Sequence, residues 1–366
     1  MRPVLILGGY GNFGKRIAQA LTADNVPVVI AGRNRTKAEG LAQTLPEGLT
    51  SIAVFDAFVE LGTQLQRLKP AVVINTCGPF QSSDYSIAKV CIQHGVHYID
   101  LADGRDFVPG IVALDAAAKA KNVVVVSGAS TVPGLSSAVL ERYKHEFAQI
   151  DEMRYGIAPG QKAERGLATT QGILSYVGKA LKPFPGNEGK VFGWQGIYRQ
   201  KYPQLGKRWM ASCDIPDLDL LPARYGIKRI HFSAGLELGF IHLGLWGLSW
   251  LVRFGLPLNL PRFAKPLLKI SDMFDAFGST DGGMHVTLTG TGVDGNPHSR
   301  EWFVVALDGD GPQIPTIPAI VLAKDLAKGV AMESGARPCV GLISLERYMT
   351  ELEPFAIHQY EEAKLS

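Results

Sequence analysis

Short apolar runs alternate with stretches of helical spacing through the first third of the chain. The runs are VLIL (4–7), VPVVIA (26–31), SIAVFD (51–56), AVVIN (71–75), HYIDL (97–101) and NVVVVSG (122–128). Their length and β-branched content predict strands, and the unbroken VVVV predicts one buried on both faces. After the first run, Phe13, Ile17, Ala20 and Leu21 recur at helical spacing. Helices are predicted at 36–45 with Thr36 as N-cap, at 58–68, at 84–95 between an Asp start and a Gly stop, and at 107–121 with Pro109 near the first turn. Strands that alternate with helices predict a parallel sheet covered on both faces, and right-handed crossovers make it doubly wound.

The pattern changes after about residue 134. A helix is predicted over 135–147 as the bridge to a second region. There the segment 284–310 reads as a long antiparallel hairpin, with Val286 and Leu288 alternating against His285 and Thr287. Residues 182–190 read as a loop, and 318–329 as a helix with Pro at its start and Gly at its end. The expected fold is α/β, with a doubly wound Rossmann sheet over 1–133. A second α+β domain over 134–366 is built on a largely antiparallel sheet, with room for the C-terminal helices to pack back on the first domain.

Composition narrows the class. The chain has 366 residues, is 46% hydrophobic and carries a net charge of +3. It can bury a core without disulfide or metal staples. So small a charge gives no footprint for nucleic acid. The four cysteines, Cys77, Cys91, Cys213 and Cys339, are scattered without metal-ligand spacing, which points to reduced thiols, no metal site and a cytoplasmic protein. The N-terminus does not read as a signal peptide. Residues 238–252, LGFIHLGLWGLSWLV, carry no formal charge. They fall short of the roughly 20 residues of a membrane span. They read as a buried helix, a subunit interface or a surface that meets lipid. Trp246 and Trp250 mark one face of that helix.

The first strand runs into Gly9-x-Gly11-x-x-Gly14, and a helix follows. In this context Gly9 serves the tight turn, Gly11 lets a pyrophosphate approach the backbone, and Gly14 lets helix and strand pack closely. The start of the helix then faces the phosphates. Where an acid would bind a free ribose 2′-hydroxyl, this chain has Arg33, Asn34, Arg35 and Lys37. A guanidinium binds a 2′-phosphate and an acid would repel it, so NADP(H) is the expected cofactor. Asp56, ending the third strand, reads equally as an adenine contact and as the cap of the next helix.

The order GGYGNFG, AGRN, VVINTCGPF, YIDLADG and PGLSS resembles the saccharopine dehydrogenase-like, NADP-binding oxidoreductases, over roughly residues 1–140. That resemblance implies cofactor contacts at Gly9, Gly11, Asn12, Phe13, Gly14, Arg33, Asn34, Asp56, Thr76, Gly78 and Asp100. It implies hydride transfer between nicotinamide and a small carbonyl, imine or enone held between the two domains. It leaves the substrate open.

Proton-handling candidates must lie near the strand ends. Cys77, His97, Asp100, Asp103 and Ser130 qualify by position, with Cys77, Asp103 and His97 taken as catalytic. Arg105 and Arg165 are candidates for orienting a polar substrate group. Tyr85 and Lys89 share the four-residue spacing of short-chain dehydrogenases but on a helix whose position fits that family poorly. A non-enzymatic NADPH-binding sensor is a rival reading, and a lipid-modifying reductase at a membrane surface is another. A homodimer is expected.

Overall fold

The computed structural model describes every residue except 165, 188 and 366, and leaves aside the side chains of 82 and 363–365. The first six strands are β1 (Val4–Leu7), β2 (Val28–Gly32), β3 (Thr50–Val54), β4 (Val72–Asn75), β5 (His97–Asp100) and β6 (Val124–Ser127). Helices α1 (Asn12–Ala23), α2 (Arg35–Ala42), α3 (Ala57–Leu68) and α4 (Ser86–Gln93) lie between them. Residues 107–121 do not form one helix. They divide into α5 (Phe107–Gly110), a 3-10 turn at Ile111–Leu114, and α6 (Asp115–Ala120). Gly110 sits at the break, where a helix gains least. The cap of α2 is Asn34, not Thr36. The Asn34 side chain accepts from the Lys37 N–H at 3.0 Å, because Asn is the better N-cap and starts the helix earlier.

The bridging helix is shorter than expected. α7 spans Ser136–Tyr143 and a 3-10 turn follows. The chain then enters β7 (Phe147–Ala158), a 12-residue strand that the hydrophobic pattern hides. Its buried apolar residues Phe147, Ile150, Met153 and Tyr155 do not alternate evenly, because register shifts interrupt its pairing near Thr289–Gly292. Next come α8 (Leu167–Tyr176), β8 (Tyr198–Tyr202), β9 (Gly206–Ser212), α9 (Asp217–Tyr225), β10 (Arg229–Leu236), α10 (Gly239–Arg253) and α11 (Ala264–Asp272). The expected hairpin is β11 (Gly282–Gly292) with β12 (Pro297–Ala306), and Val286 pairs with Trp302. The chain ends with α12 (Ile317–Ala327), β13 (Gly335–Pro338), α13 (Leu345–Leu352) and β14 (Ile357–Leu365).

These elements form two compact units. Unit 1 comprises Met1–Leu135 and Gln313–Ile343, and unit 2 comprises Ser136–Pro312 and Ser344–Ser366. Unit 1 contains a seven-stranded parallel sheet in the order β13-β6-β5-β4-β1-β2-β3. The order reverses between β1 and β4, where Leu7 lies opposite Asn75. β1, β4 and β6 are buried along their whole length. The seventh strand, β13, has no apolar run to announce it. It is held by pairing with Val124–Ser127 and by Asp115, which accepts from the Ala336 N–H at 3.0 Å. α12 joins the same unit through its apolar side chains. Ile320, Val321 and Leu322 are 0–1% exposed. Burial of each such side chain contributes about 1.5–3 kcal/mol. Lys324 of α12 pairs with Asp24. Unit 2 contains the other sheet, in the order β14-β12-β11-β7-β10-β9-β8. It is antiparallel except where β10 runs parallel to β7.

Candidate active site

The carboxyl ends of β1, β2, β3 and β4 open onto a cleft of about 360 Å³ in unit 1. In a doubly wound sheet the ligand lies at this reversal of strand order. The glycine turn forms one wall. The left-handed residue of that turn is Gly8, at φ +72°, not Gly9. A Cβ at Gly8 would lie 2.6 Å from Thr76 Oγ1. A Cβ at Gly9 would press on Ile6 and Ile30 at 2.9 and 3.0 Å, so this glycine serves the packing of the turn on β2. A Cβ at Gly14 would strike Gly9 Cα at 2.7 Å, which is the close helix–strand contact expected of it. Gly11 is exposed, and a Cβ there would meet only Gly8 O at 3.0 Å. No side chain caps α1 and no acid stands in its first turn. This cradle suits a pyrophosphate: bare backbone, a helix start with partial positive charge, and no competing carboxylate. Asn12 accepts from the Arg16 guanidinium, and Phe13 is half-buried on α1.

Arg33 follows directly after β2 and lines the cleft, facing Asp56, Ala57 and Phe58 at the end of β3. Arg35 turns to Glu39 at 3.4 Å and does not line it. The Asn34 side chain is used as the α2 cap, while its N–H donates to the Tyr10 hydroxyl at 2.9 Å. Tyr10 and Gly8 were not among the residues that motif reading selects. The signal for Tyr10 was an aromatic inside the glycine turn. Its ring lies where a Cβ on Gly32 would be, so Gly32 and Tyr10 together shape the wall beside Arg33. Asp56 caps α3 by accepting from Phe58 N–H at 2.9 Å, and it also lines the cleft. Phe58, 66% exposed, offers an open aromatic face there. The set fits NADP(H): a backbone cradle suited to phosphate, a guanidinium at the carboxyl end of β2 and an exposed aromatic face at the end of β3.

At the end of β4, the Thr76 hydroxyl donates to the Leu7 carbonyl at 2.8 Å, tying β4 to the glycine turn. Cys77 and Gly78 line the cleft. The Cys77 N–H donates to Asn75 Oδ1 at 3.0 Å. Burial pushes its thiol up to about 11, against an opposing pull from Arg33. That burial favours the neutral thiol over a thiolate at Cys77.

The remaining candidates separate. Asp100 is fully buried. Its Oδ1 accepts from Ala102 N–H, Ser127 Oγ and Gly128 N–H at 3.0, 2.9 and 2.9 Å. Burial raises its carboxyl to about 6, against those hydrogen bonds. It fastens the loop after β5 to the end of β6 and presents no surface to a ribose. His97 opens the interior strand β5, at the amino end of the sheet away from the glycine turn, and Nδ1 accepts from Val124 N–H at 2.9 Å. That position corrects the expectation of a catalytic role, because a chemical step at the carboxyl ends lies out of its reach. Asp103 is half-buried, accepts from Gln81 Nε2 at 3.0 Å, and is shifted upward by burial. Arg105 is 5% exposed within unit 1. Arg165 lies outside the described residues. Tyr85 donates to the Phe107 carbonyl at 2.6 Å and stacks on the Phe107 ring, so its hydroxyl serves packing. No group of three or more His, Cys, Asp or Glu side chains suited to a metal occurs among the described residues.

Residues 4–126 match the family model described as the saccharopine dehydrogenase NADP binding domain. No curated protein sequence matches the chain. Among solved structures, the chain is similar to apo histidine-tagged saccharopine dehydrogenase (L-Glu forming) from Saccharomyces cerevisiae. The TM-score is 0.69 at 14% identity, over 100% of both chains. It is also similar to an amine dehydrogenase from Mycobacterium smegmatis, with a TM-score of 0.51 at 12% identity, over 93% of this chain and 95% of that one. At these identities the likeness is one of fold.

Proposed function

We propose that this chain, an NADP-dependent oxidoreductase whose residues 4–126 form a nucleotide-binding domain of the saccharopine dehydrogenase type, reduces the C=N bond of a small imine or oxidises the corresponding amine. The observation that carries the reading is Arg33 at the carboxyl end of β2, lining a cleft under an uncapped glycine turn. When bound, NADPH supplies a hydride to the electrophilic carbon of the substrate. The chain's part is to hold the diphosphate on the N–H groups of the turn, grip the 2′-phosphate through Arg33, and keep water from the reacting carbon.

The proton decides among substrates. A ketone turns into a strongly basic alkoxide and needs a well-placed acid. An imine that arrives protonated at nitrogen becomes an amine without further help. The cleft holds a thiol pushed up to about 11 and no histidine among its lining residues. Asp56 is engaged as the α3 cap and the Tyr10 hydroxyl accepts from the Asn34 N–H, which favours a substrate that brings its own proton, the iminium. The fold shared with an amine dehydrogenase supports the same ranking. An amino-acid-derived substrate comes first, a lipid-linked enone or ketone second, and a polyamine precursor last.

The test is NADPH oxidation with purified protein against cyclic imines, aldehydes, ketones and enones. Turnover is expected on imines, and faster with NADPH than with NADH. NADPH binding without turnover on any member of the panel would replace the enzyme with a nucleotide sensor.

A further inference from the structure

Between residues 238 and 271 the chain contains no Asp or Glu, yet it carries Arg253, Arg262, Lys265 and Lys269. All four are exposed. The same stretch is apolar where it meets solvent. Of the fifteen exposed large hydrophobic side chains among the described residues, nine lie between Phe240 and Phe277. Phe254 and Met273 are 76% exposed and Phe277 is 73% exposed. α10 is apolar nearly all round, but only His242 and Ser249 are buried. A helix of that composition is normally covered. It is therefore not the buried core helix that its sequence also allowed.

Residues of α8, α10 and α11 line an apolar cavity of about 370 Å³ that opens to solvent. Ile173, Leu245, Leu248, Leu268 and Phe274 line it. Its side-chain hydroxyls are those of Thr170 and Ser271, and Ser271 already accepts from Gln161 Nε2 at 3.2 Å. At the end of α10, Arg253 lies 4.7 Å over the Trp250 ring and donates to Gln195 Oε1 at 2.6 Å. A cation beside an indole at the edge of an apolar surface is the arrangement of membrane-interface anchors. No helix among the described residues is long and apolar enough to cross a membrane.

We propose that α10, α11 and the connecting residues 254–263 dock on an anionic lipid bilayer. The exposed phenylalanines and Met273 enter the headgroup boundary, the four cations meet lipid phosphates, and the cavity between α8, α10 and α11 receives an acyl chain. Charge selects this occupant over a second copy of the chain. A two-fold contact places a patch on itself, so a surface that carries four cations and two acids between Phe240 and Phe277, a net charge of +2, would face the same excess of positive charge. The acids that border the stretch are Glu237, which pairs with Arg208 at 3.3 Å, and Asp272; Asp275 accepts from Gln161 Nε2 at 3.0 Å. An anionic bilayer supplies the missing countercharge and the apolar phase together.

The test is flotation of the full chain with vesicles of phosphatidylcholine alone and with phosphatidylserine added. Co-flotation is expected on the serine-containing vesicles, and salt should weaken it. The triple variant Arg262→Gln, Lys265→Gln, Lys269→Gln should lower partitioning by roughly a hundredfold. The triple variant Phe254→Ser, Met273→Ser, Phe277→Ser should abolish flotation. Both are surface changes and should bind NADPH as the parent does, which checks the fold. Three results would overturn the proposal: a parent protein that stays soluble with both vesicles, equal flotation on both, or variants that float like the parent. A parent dimer that the apolar variant converts to monomer would assign the surface to self-association instead.

Discussion

Arg33 and Arg35 stand two positions apart and look equivalent in the chain. Arg35 opens α2 and reaches Glu39 one turn on, while Arg33 precedes the cap and lines the cleft. Removing Arg33 should therefore remove the grip on the 2′-phosphate alone. Charge-assisted hydrogen bonds of this kind contribute about 1.5–3 kcal/mol, so Arg33→Ala should weaken NADPH by roughly ten- to a hundredfold. NADH, which lacks the phosphate, should change little. Calorimetric titration with both nucleotides checks this, and an equal loss for both would place the 2′-phosphate elsewhere. Arg35→Ala should leave both affinities near the parent values. The same distinction between neighbours applies to the glycines. Motif spacing finds Gly9, Gly11 and Gly14, but the position that requires a left-handed backbone is Gly8, just outside the pattern.

At the scale of elements, one buried carboxyl in unit 2 joins three of them. Asp217, in the first turn of α9, accepts from Ser136 at the start of α7 and from Tyr155 of β7 at 3.1 Å. Burial raises its carboxyl from 3.8 to about 7, against those two hydrogen bonds. An acid raised on folding keeps its proton longer in the native state. Its contribution is intact below about 3.8 and is lost as pH rises toward about 7. Asp217→Asn keeps the shape and cannot ionise. Its Tm should match the parent at low pH and exceed it above neutrality, as thermal unfolding across that range would show. A variant less stable than the parent above neutrality would mean that the carboxylate is stabilising. β7 itself shows why such joints were hard to read. Register shifts break its alternation, and Asp151, Glu152 and Arg154 interrupt its apolar positions, so no strand is predicted after the helix at 135–147.

For the molecule as a whole, NADPH should act on unit 1 as a native-state ligand. At a hundred times its dissociation constant, a nucleotide that binds only the folded form adds about 2.7 kcal/mol. Amide exchange should slow in four separated segments: 8–14, 31–35, 55–58 and 76–79. These segments meet only because β1, β2, β3 and β4 are neighbours in the sheet. Unchanged exchange in all four at saturating NADPH would exclude this cleft as the nucleotide site.

What the sequence determined by itself was local. A strand, a glycine turn and a helix start lie within twenty residues, and two arginines with no acid beside them follow the second strand, which is where the sequence predicts a 2′-phosphate. Short-range sterics and charge suffice for that, so the nucleotide domain and its cofactor were legible. The tertiary structure decided what depends on burial and pairing between distant segments. It drew α12 and β13 into unit 1, sealed Asp100 beneath the loops it fastens, and set His97 at the amino end of β5, away from the cleft. It also left α10 open to solvent, although its composition reads as core. Hydrophobicity along a chain states what should be covered, and only the packing of other segments states what is.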